Sequence, residues 1–231
     1  MNEVTMYYIL ALLPLFVTLI AQSYVKNTYR KYGQIAGSTG YTGAAVARDI
    51  LDRNGLYSVP VERMKGLLTD RYDPRNTSVY LSEGNHDSNS IAAVAVSAHE
   101  CGHALQHRDS YAFLNVRSAM LPLVNISSYG GYMAIMLGMF MNMINLVWIG
   151  IAMELVILLF QVITLPVEFN ASSRALVQIR ENGYLQGTEI DHAKKVLNAA
   201  ALTYVASVAA TFFQIFRLVI SFTGRRDSRR R

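Results

Sequence analysis

A chain of 231 residues is long enough for one domain with a substantial core, but 52% apolar and only 16% charged side chains exclude an ordinary water-facing surface, which carries about 25% charged residues. The single cysteine, Cys101, excludes an intramolecular disulfide framework. The formal charge of +5 gathers largely in Arg225, Arg226, Arg229, Arg230 and Arg231, which fits lipid headgroups better than a nucleic-acid face with interleaved aromatics, so a lipid bilayer and no nucleic acid is the expected partner.

In chain order, Met6 to Tyr24 carries no charge. Lacking a basic n-region and a small-residue cleavage site, it reads as an uncleaved transmembrane anchor over residues 1–24. A polar region, 25–119, follows. Within it AAVARDILDRNGL reads as a helix stopped by Gly55. SVPVERMKG and NTSVYLSEG alternate as two strands, with Pro74 and Asn76 marking the turn before the second. Asp87, Ser88, Asn89 and Ser90 form an N-cap cluster for the helix IAAVAVSAHECGHALQH.

Met120 to Pro166 is too long for a single span, which needs roughly 20 residues at about 1.5 Å each. It reads as a transmembrane hairpin, 120–166, turned at Asn142 and Asn145. Glu154 inside it must face other helices or be protonated, because a charged carboxylate at mid-bilayer is costly. A second polar region, 167–198, opens with the helix VEFNASSRALVQIRENG, stopped by Gly183. A fourth apolar stretch, Ala199 to Phe222, and the basic tail complete 199–231. The fold class is α+β, mainly α, with a short β pair and about four transmembrane helices.

His99-Glu100-Cys101-Gly102-His103 is an HExxH sequence inside a predicted helix. Residues four apart share a helix face, so both imidazoles can bind one zinc ion. Glu100 sits on the adjacent face, where it can act as general base toward a water that zinc acidifies. Gly102 offers no bulk where another group must approach. A catalytic zinc takes three protein ligands, and Glu168 in LPVEFNASSRA is the best third: two membrane crossings after His103 return the chain to the same side. The plainer reading of Glu168 is a glutamate favoured by a helix N-terminus. His192, Arg174 or a tyrosine such as Tyr80 can stabilise an oxyanion, though each is also an ordinary surface group. His86 lies in a polar loop, His107 shares the helical face of His103, and Cys101 points off the metal face as packing. The strand TSVYLSEG can offer an edge to an extended substrate, or pair only within the protein.

SIAAVAVSAHECGHALQH, the apolar hairpin and LPVEFNASSRAL together resemble the YugP-type family of membrane zinc metallopeptidases, over nearly the whole chain. TGAAVARDILDRNGL, LTDRYDPRNTSVYLSEG and AKKVLNAAALTYVA share in the likeness, which extends more distantly to HtpX and the CAAX prenyl proteases. The resemblance implies a minigluzincin-like core, one Zn2+ per chain, Glu168 as third ligand, a peptide or membrane-protein substrate, and a bacterial cell membrane. In the HtpX-like pattern an aspartate follows the ligand glutamate by four residues; here that position is Ser172, so Asn170, Ser172 or Ser173 is expected to support the ligands instead.

The expected reaction is peptide-bond hydrolysis by a zinc-dependent metalloendopeptidase. A zinc-holding chaperone or scaffold is the alternative, but it needs no base at Glu100. A metal transporter, with Glu154 as ligand, would place more polar groups along its spans. Lys26, Arg30 and Lys31 follow the first span and put the catalytic side in the cytoplasm by the positive-inside rule, whereas the arginine tail argues the other way.

Overall fold

A computed structural model describes the backbone of residues 3–228 and the side chains of residues 11–223. The side chains that begin the expected first span, and those of the arginine tail, lie outside the described residues. The elements are α1 (Glu3–Gly33), α2 (Gly43–Arg53), β1 (Val61–Met64), β2 (Arg71–Asp73), β3 (Ser78–Ser82), α3 (Glu83–His86), α4 (Ile91–Arg108), α5 (Ala112–Phe140), α6 (Ile144–Glu181) and α7 (Thr188–Ser228). They form two compact units. One comprises Ser23–Asn115 and Pro166–Leu202; the other takes the described chain up to Gln22, Val116–Leu165 and the chain from Thr203.

In the first unit α4 is the central element. The Ser90 hydroxyl caps it by accepting from the Ala93 N–H at 3.1 Å, a contact worth about 1 kcal/mol. Ala92, Ala93, Ala95 and Ala98 are fully buried, and such small side chains let α2, α3, β2 and β3 pack on several faces of the helix at once. Ile50, Leu51, Val79, Leu81, Ile91 and Ile179 fill the space around it, each contributing roughly 1.5–3 kcal/mol by leaving water. Asp70 pins the β1–β2 connection to the end of β3, accepting from the Ser82 N–H at 2.7 Å and from Asn85 Nδ2 at 2.9 Å.

The sheet departs from the expected pair. It has three strands in the order β1-β3-β2, β1 parallel and β2 antiparallel to β3. The strand of TSVYLSEG is therefore the middle one, with both edges already paired, and offers none to a substrate. β2 escapes sequence detection because three residues are too short to show alternation.

In the second unit the dominant feature is apolar length. Helices α5, α6 and α7 are each long and apolar enough to cross a bilayer, and Phe140 and Ile126 are 91% and 64% exposed. Surfaces of that kind are satisfied by lipid. The hairpin turns at Asn142, whose φ of 59° an asparagine tolerates better than most residues; Asn145 lies within the first turn of α6. A Cβ built on Gly150 would stand 2.8 Å from the Gly131 carbonyl oxygen, so two bare glycines let α5 and α6 touch along their backbones. Glu154 is buried, 8% exposed. The helix expected to start after Pro166 is instead continuous with the preceding span, and α7 likewise runs unbroken into the fourth apolar stretch.

Candidate metal centre

His99 and His103 project from one face of α4, and Glu168 comes from α6 just past Pro166. The Glu168 Oε2 atom stands 3.4 Å from His99 Nε2 and 3.7 Å from His103 Nε2. All three ligand atoms lie within 4.8 Å of one another. A tetrahedral zinc with bonds of about 2.0–2.2 Å would hold neighbouring ligand atoms about 3.3–3.6 Å apart. The donor set, two imidazoles and a carboxylate, is one zinc accepts, and the two Glu168–histidine spacings lie close to that range.

The helices meet closely enough to build this site because of Gly102, whose missing side chain faces the Ala171 backbone. Glu168 is 4% exposed. Burial opposes its charge, but hydrogen bonding with His103 and His99 outweighs that and holds its carboxyl well below the usual range. It is thus ionised at neutral pH. For His103, burial disfavours the imidazolium, yet the neighbouring Glu168 raises its pKa overall. Glu100 is 8% exposed; burial raises its pKa, and the two histidines pull in the opposite direction.

Each of the two histidines has a partner at its other ring nitrogen. His99 Nδ1 lies 3.2 Å from Ser172 Oγ, and His103 Nδ1 lies 3.0 Å from Gln106 Oε1. Asn170 and Arg174 are brought into the same region: Arg174 donates to Asn170 Oδ1 at 2.9 Å and pairs with Asp109 at 2.5 Å. Gln106 carries little mark in the sequence. A glutamine one turn past the second histidine was the only available signal.

The other candidates have different engagements. His192 stacks on Tyr32 with ring centroids 4.8 Å apart. Tyr80 accepts from Asn76 Nδ2 at 2.7 Å and carries the Arg71 guanidinium over its ring. His107 Nδ1 meets the Tyr72 hydroxyl at 2.7 Å, and His86 pairs with Asp87. The buried Cys101 thiol donates to the Ala47 carbonyl oxygen at 3.5 Å.

A family described as "Putative neutral zinc metallopeptidase" matches residues 7–223 of this chain. The chain belongs to that family. A relative from Bacillus subtilis (strain 168), named "Putative membrane protease YugP", is 46% identical over 207 residues, covering 90% of this chain and 92% of the relative. No solved structure gives a significant match. Family membership implies zinc, and the relative's name together with three apolar helices points to a membrane setting.

Proposed function

We propose that this chain is a membrane-embedded zinc endopeptidase in which His99, His103 and Glu168 hold one zinc ion and Glu100 is the general base. The convergence of Glu168 on both histidine Nε2 atoms, from a helix distant in sequence, carries the reading. Zinc bound there supplies the Lewis acidity that lets water act as a nucleophile near neutral pH. Glu100 takes the proton from that water on a carboxylate oxygen and then delivers it to the leaving amine nitrogen.

The substrate class is peptide, including segments of membrane proteins, presented beside the bilayer. The unit holding α4 is read as a minigluzincin-like core, and α1 as a fourth span whose basic flank, Lys26, Arg30 and Lys31, puts the core on the cytoplasmic side. The regions are 1–24 anchor, 25–119 and 167–198 catalytic, 120–166 hairpin, and 199–231 last span with its tail.

The test is zinc content and hydrolysis of an unstructured protein substrate by detergent-purified chain. About one zinc per wild-type chain is expected, lost in His103→Ala and Glu168→Ala. Glu100→Gln should keep the zinc and lose at least about 1000-fold in kcat. A Glu100→Gln variant as active as wild type would sink the mechanism.

A further inference from the structure

Gln106 sits one turn beyond His103 on α4 and is fully buried, 0% exposed. Every contact of its amide has a forced direction. Arg174 Nε can only donate, and does so to Asn170 Oδ1 at 2.9 Å, which makes that oxygen the acceptor. Gln106 Nε2 donates to the same oxygen at 3.0 Å and to the Val167 carbonyl at 2.8 Å. Both amide protons are then used, and Oε1 is left facing His103 Nδ1 at 3.0 Å. An amide oxygen only accepts, so Nδ1 carries the proton. The lone pair of neutral His103 therefore lies on Nε2, the atom that faces Glu168. His99 is held less strictly, since the Ser172 hydroxyl at its Nδ1 can donate or accept.

We propose that Gln106 is a positioning residue of the zinc site. Its oxygen fixes His103 in the tautomer a metal ligand needs, while its nitrogen ties α4 to the turn of α6 that carries Glu168. One side chain thus sets the lone pair of the second ligand and the placement of the third. The inference rests on the zinc reading given above, and it extends through Asn170 and Arg174 to Asp109 at the surface.

Two substitutions separate the two ends of the amide. Gln106→Met removes both. Gln106→Glu keeps an oxygen that accepts from His103 Nδ1 but, as a carboxylate, cannot donate to Val167. Zinc affinity by chelator competition and thermal unfolding of the zinc-free form are measured on detergent-purified full-length protein. Both variants should melt lower than wild type. Gln106→Met, which loses both ends, should bind zinc about 10–100-fold more weakly, and Gln106→Glu, which loses only the tie to α6, about three- to tenfold more weakly. Equal loss of affinity in both, in step with melting temperature, would reduce Gln106 to a structural clamp and overturn the proposal; so would wild-type affinity in Gln106→Met. If neither variant folds, Arg174→Met frees the Asn170 amide at a half-buried position and should weaken zinc about three- to tenfold, with no change overturning the proposal. His103→Ala is the control. If it binds zinc like wild type, the metal site itself is wrong; if it loses zinc while Gln106→Met does not, only the positioning role fails.

Discussion

Gly102 and Ala171 meet backbone to backbone: a Cβ on Gly102 would stand 2.5 Å from the Ala171 carbonyl oxygen. Gly102 lies between Glu100 and His103, and Ala171 three residues past Glu168. The contact therefore sets how near the two helices bring Glu168 to the histidines. Gly102→Ala should push them apart, costing about 1–3 kcal/mol of stability and at least about tenfold in zinc affinity. Chelator competition beside thermal unfolding checks it, and unchanged affinity would refute the geometric account.

Ser172 is the contact behind His99. Ser172→Ala removes the hydroxyl 3.2 Å from Nδ1 and nothing large, so the fold should persist. Zinc affinity should fall by up to about tenfold, with kcat per bound zinc changing less than affinity. Titrating activity against buffered free zinc distinguishes the two.

Metal removal should register as stability. A ligand held at about a thousand times its Kd stabilises the folded state by about 4 kcal/mol, or about 10 °C in a chain of this length. A chelator should lower the wild-type melting temperature by that order. Glu168→Ala should not respond to the chelator.

Acid sensitivity should depend on Asp109. Its carboxyl is held below the ordinary range first by hydrogen bonding from Arg108 and then from Arg174. A depressed folded-state pKa means the unfolded chain binds the proton more readily. The contribution is present above the unfolded value of about 3.9 and is lost as pH falls through the lower folded value. Being about one-third exposed, the pair contributes at most about 1 kcal/mol. Asp109→Asn should melt slightly lower at pH 7, and its melting temperature should vary less with pH between pH 5 and pH 2.

The local part of this architecture was legible in sequence. The N-cap cluster from Asp87 to Ser90 and the apolar helix after it announced α4, and the HExxH spacing placed two imidazoles on one face. The nearness of Glu168 to the histidines was reachable because two expected spans would return the chain to the side it left. Gln106 was not, because its partners Val167 and Asn170 lie 61 and 64 residues away and an amide leaves no periodic mark. β3 was visible as a strand, but its central place follows from the three-residue β2. The unbroken course of α6 was hidden by Pro166, which lacks a donor and so reads as a boundary although the helix continues past it.

Cys101 has a practical consequence. It is the one thiol of the chain, it is buried against Ala47, and burial pushes its pKa far above the usual value. A maleimide therefore finds no native target, and a cysteine placed at the exposed Ser110 or Asn142 becomes the sole reactive handle without a thiol-free parent having to be made. These two positions flank α5, so if that helix crosses the bilayer, a membrane-impermeant reagent added to intact cells labels one and spares the other. The labelled position reports which compartment the unit holding His99, His103 and Glu168 faces.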